Sequence, residues 1–492
     1  MRLALALLAV TLACKSAPGG NAVVGPSDSG PADSGPLCSA RNPCSDAGPE
    51  DAGIDAGPAL PPDTDAGPPA PPPDAGPNPH VRGSMGWGPF PQQPLTVYHL
   101  PEAPVSASVD EGENLWAVSE KALYLLMPGA HAFRRYTAAD GLHYGSGYTD
   151  PPDITMVEGG GPGECFVGYY AHDTNDGNTP GAHTYIDPIA HMGKMDQVLL
   201  QPDGSLKVNR YDLRNSNDGR YYETRTVMSM VYDHFQHPGN LYVGSNHGIT
   251  RIIPAKYVPQ HIDPNDPGNT QQETTWFADH VHAWVCLGAP CTGDTNLDHV
   301  AFGDWFGLTL ADDGRLWLGG LYNAGAIHFK ESLLEWVQSW GNHNPFDPAF
   351  EDPPVYAVHE GTPVNIHATA VTPDGVAWFG SGEALWEGWR GPTYGLASWD
   401  GHRFEYFDPM KLGAIEYNIL ELQALGDGRL VIGFPTSGLL VWRPGDAKGH
   451  RLTVQDGLPG EQIGRMSQDK LHSPPLLMVP TEGGLAVFRE VP

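Results

Sequence analysis

The sequence has few charged residues for its length, and basic residues are the scarcest of them. Only 17% of the 492 residues are charged, and 27 Lys and Arg stand against 58 Asp and Glu, so the net charge is −31. A surface this acidic repels phosphate backbones and anionic lipid headgroups, which argues against nucleic-acid binding and polybasic membrane docking. It leaves open either a cationic partner or plain solubility.

Long hydrophobic runs are missing beyond the first residues. Met1–Ala13 has a basic start and an apolar run too short to span a bilayer, which is typical of an export signal and excludes residues 1–13 from the fold. Leu12-Ala13-Cys14 resembles the lipobox of bacterial lipoproteins, with Thr11 where that family prefers Leu. The resemblance implies an acylated Cys14 and, because Lys15 is not Asp, an outer-membrane lipoprotein facing the periplasm or the cell surface. The other interpretation is an ordinary secretory signal with an incidental cysteine.

Large apolar side chains are almost absent from residues 15–80, where Asp-Ala-Gly-Pro recurs from Asp46, Asp55, Asp65 and Asp74. Such a segment cannot bury enough surface to offset its chain entropy, so residues 14–80 are predicted to be a disordered tether. Of the six cysteines, Cys38 and Cys44 lie in this tether. In an oxidising compartment we expect them to form a disulfide. Residues 81–492 are left for the folded domain and carry a net charge of −25.

Sequence motifs for nucleophilic or phosphate chemistry are also missing. The chain has no G-x-S-x-G elbow, no H-E-x-x-H pair and no glycine-rich phosphate loop followed by a helix. Cys165 lies in an apolar run and is predicted to be a buried thiol, not a nucleophile. We therefore predict no catalytic residue.

Glycine, proline and aromatic residues are abundant, and they form a repeat. Ala311–Phe329 reads as a turn, a short apolar run, a second turn and another apolar run. Runs of this length between Gly, Asp and Asn predict short antiparallel strands. The same order recurs in Val109–Leu126, His237–Ile252, Thr372–Leu385 and Leu425–Trp442.

Seven copies of this repeat can be counted after a first strand at Leu95–Leu100. Each copy predicts a four-stranded sheet whose apolar face cannot be buried alone, and radial packing of such sheets buries it. The predicted fold is an all-β, seven-bladed β-propeller, with six or eight blades as the alternatives. Its innermost strands are expected near Val105–Val109, Ile154–Glu158, Val227–Tyr232, Gly307–Leu310, His367–Thr372, Ile419–Ala424 and Ile463–Ser467.

The sequence pattern of the repeat, D-x-G-x-L-W-x-G with a later D-G-L, resembles the propeller repeats of bacterial two-component regulators. Asp313–Gly320 carries the first part, and Asp140-Gly141-Leu142 and Asp456-Gly457-Leu458 carry the second. The resemblance implies a propeller. The chain departs from the sensor proteins because it has no kinase or DNA-binding segment, so the fold is expected without the signalling role.

The ring should close through its N-terminal strand. The seventh copy supplies only three strands before Pro492, which leaves the edge of Leu485–Arg489 exposed. Leu95–Leu100 occupies the position that outer strands such as Phe133–Tyr136 and Phe404–Phe407 occupy before other blades. We predict that Leu95–Leu100 pairs with Leu485–Arg489 and completes the last blade.

Two regions are candidates for metal or ligand binding. His280 and His282 would share one face of a strand beside Asp279, as two metal ligands must, with Cys286 and Cys291 nearby. The alternative is that Cys286 and Cys291 form a disulfide. Asp173, Asn175 and Asp176 resemble a calcium loop, as does Asn215–Gly219, but both fall one residue short of its pattern, and plain turns are the alternative.

Two functions fit these observations. The first is a non-enzymatic binding or scaffold module, monomeric and without an obligatory cofactor, which presents its loop face to a glycan, a peptide or an envelope protein. The second is an exported lyase or hydrolase that uses loop-face residues such as Asp279, His280, His282 and His367. The sequence shows the surface that the first requires and no converging acid–base set for the second.

Overall fold

The computed structural model describes residues 90–142, 154–170, 194–212, 227–245, 248–256, 277–281, 305–320, 323–330, 333–341, 365–382, 395–473 and 475–492. These residues form 28 β-strands in seven four-stranded antiparallel sheets, which are the blades of a seven-bladed β-propeller. The predicted fold class and blade number are confirmed. No helix among the described residues is long and apolar enough to cross a membrane.

The strands are numbered in chain order, and within each blade they follow one another from the innermost strand outward. Blades 1 to 3 contain β2 (Ser106–Val109), β3 (Leu115–Val118), β4 (Leu123–Leu126) and β5 (Arg134–Tyr136); β6 (Ile154–Gly159), β7 (Glu164–Tyr169), β8 (Lys194–Leu200) and β9 (Leu206–Asp212); β10 (Val227–Asp233), β11 (Asn240–Ser245), β12 (Gly248–Ile252) and β13 (Phe277–Val281). Blades 4 and 5 contain β14 (Trp305–Leu310), β15 (Arg315–Gly320), β16 (Asn323–Lys330) and β17 (Leu333–Gly341); β18 (Ile366–Val371), β19 (Ala377–Ser381), β20 (Leu396–Trp399) and β21 (Phe404–Phe407). Blades 6 and 7 contain β22 (Glu421–Ala424), β23 (Leu430–Gly433), β24 (Leu439–Trp442) and β25 (His450–Leu452); β26 (Ser467–Gln468), β27 (Leu477–Thr481), β28 (Gly484–Phe488) and β1 (Leu95–Tyr98).

The D-x-G part of the repeat forms the turn between the first and second strands of a blade. In blade 4 the Asp313 carboxylate accepts the Arg315 N–H at 3.0 Å, and Gly314 adopts a φ of 83°. A left-handed φ favours glycine because it has no Cβ. Blades 5 and 6 repeat the arrangement with Gly375 at a φ of 84° and Gly428 at 86°.

The glycine that follows the aromatic residue of the second strand allows neighbouring blades to approach. A Cβ on Gly319 of blade 4 would lie 2.2 Å from the Cγ2 atom of Ile366, which begins the inner strand of blade 5. Gly380 meets Ile419 of blade 6 in the same way, at 2.4 Å. The repeat therefore encodes packing between blades as well as the strands within them.

The D-G-L element ends the outer strand and leads to the next blade. Thr137 and Asp140 form a capping box around the 3-10 turn Ala138–Asp140, and Gly141 then adopts a φ of 102°. Leu142 is 1% exposed and packs between blades 1 and 2. The 3-10 turn Val454–Asp456 of blade 6 has the same capping box, formed by Thr453 and Asp456. Two further short elements are the 3-10 turn Pro254–Lys256 and the helix α1 (Pro409–Leu412).

The predicted closure of the ring is confirmed. β1 pairs antiparallel with β28, so that Leu95 lies opposite Phe488 and Tyr98 lies opposite Leu485. The Arg489 N–H donates to the Pro94 carbonyl at 2.8 Å. On the inner side, Arg465 pairs with Ser106 of blade 1, and its N–H donates to the Val105 carbonyl at 2.8 Å.

Two details differ from the sequence prediction. The first strand ends at Tyr98 instead of Leu100. The long spacing between copies of the repeat predicts insertions at residues 170–194 and 254–296, and the second prediction is wrong in part because that stretch contains β13, the outermost strand of blade 3. Cys165 lies on β7, the second strand of blade 2, and is fully buried as predicted.

Candidate binding site at one end of the central channel

The seven innermost strands surround the propeller axis, and side-chain hydrogen bonds join several of them. The Thr309 hydroxyl donates to the Thr369 carbonyl at 2.7 Å, which joins blades 4 and 5, and the Gln423 amide donates to the Met466 carbonyl at 3.2 Å, which joins blades 6 and 7. Ser467 of blade 7 donates to the Ala107 carbonyl of blade 1. We call the end at which these strands begin the upper end of the channel, and the opposite end, where they turn into the second strands, the lower end.

The upper end carries an aromatic pair on blades 4 and 5. Phe306 and His367 are equivalent residues, because each is the extra residue of a β-bulge at the start of its inner strand. Their rings stack with centroids 4.9 Å apart and an interplanar angle of 13°. Burial, together with a smaller contribution from the charge of Arg465, lowers the pKa of His367 to about 4. The imidazole is therefore neutral at neutral pH.

A charged pair from blades 6 and 7 completes the same end. Glu421 begins β22, and Arg465 occupies the equivalent position of blade 7, just before β26. A guanidinium nitrogen of Arg465 lies 3.6 Å from a carboxylate oxygen of Glu421. The Glu421 side chain is 9% exposed and that of Arg465 is 26% exposed. Burial raises the pKa of Glu421 to about 8, although Arg465 and the Met466 N–H oppose the shift. We call Phe306, His367, Glu421 and Arg465 the upper site.

The lower end is crossed by one lysine. Lys470 follows the inner strand of blade 7, and its ammonium donates to the Leu310 carbonyl of blade 4 at 2.8 Å, on the other side of the ring. Its side chain is surrounded by the ring of strands but keeps contact with solvent in the channel. Burial lowers the pKa of Lys470, against the charges of Asp312, Glu158 and Asp233. Burial raises the pKa of Glu158, on the inner strand of blade 2, to about 7.

The residues predicted as sites from the sequence fall into two groups. His367 lies in the upper site, whereas Asp279 and His280 lie on β13, the outermost strand of blade 3. The structure does not bring His367 together with that pair. The remaining predicted positions lie outside the described residues: Cys14, Cys38, Cys44, Asp173, Asn175, Asp176, His282, Cys286, Cys291 and the loop 215–219. Within the described part of the chain, no three His, Cys, Asp or Glu residues are placed to hold a metal ion.

Sequence reasoning missed Phe306, Glu421, Arg465 and Lys470. A signal for two of them was present, since Glu421 and Arg465 are charged residues inside runs that are predicted to be innermost strands. Burying a charged side chain at that position costs free energy, which indicates a functional role. The aromatic pair had no such signal, because the β-bulges that align Phe306 with His367 cannot be read from an apolar run.

The fold and the upper site together define a seven-bladed propeller with a polar and aromatic cluster at one end of its channel. No family model matches the sequence, and no curated protein sequence matches it. Solved structures with a similar fold include the extracellular domain of a putative hybrid two-component system from B. thetaiotaomicron, with 11% identity and a TM-score of 0.47 over 80% of this chain. The match covers 41% of the chain in that structure.

Two further similar structures are matched over nearly their whole length. YCF48 bound to D1 peptide has 12% identity and a TM-score of 0.44, and the match covers 81% of this chain and 98% of that one. Sqt1 from Saccharomyces cerevisiae has 9% identity and a TM-score of 0.43, with the same coverage of 81% and 98%. At this level of similarity we transfer no activity or ligand from these proteins.

Proposed function

We propose that this protein is an exported binding propeller that takes its ligand at the upper site. The observation that supports this function is that four consecutive blades place Phe306, His367, Glu421 and Arg465 at one end of the channel. A guanidinium, a carboxyl group and an imidazole held among buried strands cost free energy, and a propeller needs none of them to pack. Ligand binding is a reason to keep them.

Loop lengths favour the same end of the ring. The described strand ends that flank residues 143–153, 171–193, 213–226, 282–304, 342–364 and 383–394 lie at the upper end, whereas one long connection, between β12 and β13, leaves and re-enters at the lower end. Most lower-end connections are short turns, and turns such as Ala311–Arg315 and Leu425–Arg429 are each closed by two backbone hydrogen bonds of 2.8 to 3.0 Å. Binding residues in rigid scaffolds concentrate where the connections are long.

Export and anchoring belong to the same proposal. The signal Met1–Ala13, the lipobox-like Cys14 and the tether of residues 14–80 would hold the propeller at the outer membrane, where its partner is a glycan, a peptide or an envelope protein. No sequence motif assigns it a reaction.

A lyase or hydrolase is the second candidate, and one observation favours it. A neutral His367 and a Glu421 that stays protonated at neutral pH are a potential base and acid at one end of the channel. Recovering a bound ligand chemically unchanged after prolonged incubation would reject this second function and keep the first.

Thermal-shift screening of the purified propeller against glycans, peptides and small metabolites tests the proposed function, because a ligand that binds only the folded state raises the melting temperature. Any ligand found is then titrated against His367→Ala and against His402→Ala, an exposed histidine of the same blade. We expect at least a tenfold loss of affinity in the first variant and none in the second. Loss in His280→Ala, with His367→Ala unaffected, would move the site to β13 and overturn the proposal.

A further inference from the structure

The Arg465 guanidinium is the cationic group of the upper site, and few of its hydrogen-bond donors have a partner in the described chain. It carries five N–H donors, and its contact with Glu421, at 3.6 Å, is longer than a hydrogen bond. In the described part of the chain it donates no hydrogen bond to another residue. Arg429, by contrast, donates to Asp427 at 2.7 Å and to the carbonyls of Pro492 and Val491 at 2.7 and 3.0 Å.

The hydrogen bonds that close the ring use the backbone of Arg465 and not its guanidinium. Arg465 is held by its backbone, through the N–H bond to Val105 and the bridge to Ser106 that close the ring. The side chain then extends toward Glu421 of blade 6 and acts electrostatically on His367 of blade 5. A partly exposed guanidinium that has one ion-pair contact and donates no hydrogen bond within the described chain is a place for an acceptor from outside.

The charges around Arg465 favour an anion in spite of the acidic surface. Glu421 has a pKa of about 8 and His367 one of about 4, so both are mainly neutral at pH 7 and Arg465 keeps its charge. Salt screens the remaining surface charges beyond roughly 8 Å. One uncompensated positive charge matches one negative charge, and a guanidinium binds a carboxylate through two parallel hydrogen bonds.

We propose that the upper site binds a carboxylate-bearing molecule, with Arg465 as the bidentate partner of the carboxylate and the Phe306–His367 pair against an attached ring. This ligand class rests on the binding function proposed above. Protonated Glu421 is placed to donate a hydrogen bond to the same carboxylate, and Arg465 together with the Met466 N–H are the groups that act on Glu421 in the described chain.

Calorimetric titration with matched pairs of probes tests the ligand class. The pairs are benzoate with benzamide and glucuronate with glucose, and phenyl phosphate is added as a second anion. We expect at least one carboxylate to bind with a Kd of about 1 mM or below, and at least tenfold tighter than its neutral partner. Arg465→Gln should lose this preference, Arg465→Lys should keep only part of it, and the exposed-arginine control Arg403→Gln should keep all of it.

A pH series separates the role of Glu421 from mere packing. Binding should weaken as the pH rises from 7 to 9, because Glu421 ionises and then repels the carboxylate, and Glu421→Gln should remove this dependence. Equal binding of a neutral partner, wild-type affinity in Arg465→Gln, tighter binding of phenyl phosphate or no carboxylate binding at millimolar concentration would each overturn the ligand class. If any of these results is obtained, the proposed function is kept when a neutral ligand is found whose binding His367→Ala abolishes. If no such neutral ligand is found, the proposed function is rejected together with the ligand class.

Discussion

A disulfide between β1 and β28 would lock the seam at which the propeller ring closes. Val97 lies opposite Ala486 in the register of this pair. Because the Arg489 N–H donates to Pro94, the bonded and non-bonded pairs alternate so that Val97 and Ala486 form a non-hydrogen-bonded pair. The Cα atoms of such pairs lie about 4.5 Å apart, within the range that a disulfide bridges. We predict that Val97→Cys with Ala486→Cys forms this bond on oxidation.

The size of the effect follows from the length of chain that the bond closes. A loop of about 390 residues loses about 20 cal/mol/K of entropy in the unfolded state, which corresponds to about 6 kcal/mol at 25 °C as an upper value. About 400 folded residues unfold with an entropy of about 0.8 kcal/mol/K. The oxidised variant should therefore melt between about 4 and 7 °C above its reduced form.

Calorimetry of the oxidised and reduced forms of one variant isolates the effect of the bond, since both forms carry the same substitutions. The wild type with and without reductant corrects for the native cysteines. Val97→Cys with Val487→Cys is the matched control, because a shift of one residue places the two thiols on opposite faces of the sheet. Failure of the first pair to oxidise, or an equal gain in the control, would refute the closure of the ring by β1.

Three further predictions concern other parts of the chain. Lys470→Met removes the hydrogen bond to the Leu310 carbonyl across the lower end of the channel. It should lower the free energy of unfolding, measured by denaturant titration, by about 1 kcal/mol. An unchanged denaturation midpoint would show that this hydrogen bond does not stabilise the fold. Burial disfavours charged His472, but its hydrogen bond to Asp469 and the charges of Asp469 and Glu113 outweigh burial and raise its pKa. The extra stability of the wild type over His472→Gln should therefore be fully present below about pH 6.5 and lost as the pH rises through the higher pKa of the folded state. Melting temperatures of both proteins from pH 5 to 9 measure this difference, and a difference that does not change with pH would contradict the prediction. Cys14→Ser should move the expressed protein from the membrane fraction to the soluble fraction, and unchanged partitioning would reject the lipid anchor.

The fold could be predicted because each copy of the repeat specifies its own strands and turns. Asp313-Gly314 fixes a turn, Gly319 fixes the approach of the next blade, and neither depends on distant residues. The missing fourth strand of blade 7 could be deduced by counting strands, which led to the pairing of β1 with β28.

The upper site could not be assembled in the same way. Its four residues come from four blades and span residues 306 to 465, so their proximity exists only once the ring has closed. His367 can be recognised as a histidine near a predicted strand start, but its partners depend on the register of the β-bulges. Asp279 and His280 are conspicuous because they are adjacent in the sequence. Adjacency in the sequence does not tell which strand of a blade carries them.

Hydrogen exchange measured by mass spectrometry, with and without a ligand from the screen, shows directly where the ligand binds. A ligand at the upper site should slow exchange at the starts of β14, β18 and β22 and in residues 462–466 before β26, because binding suppresses local opening there. The lower turn around Lys470 and the outer strand β13 should exchange as before. Protection confined to β13 or to the lower turn, with none at the upper strand ends, would contradict a binding site at the upper end of the channel.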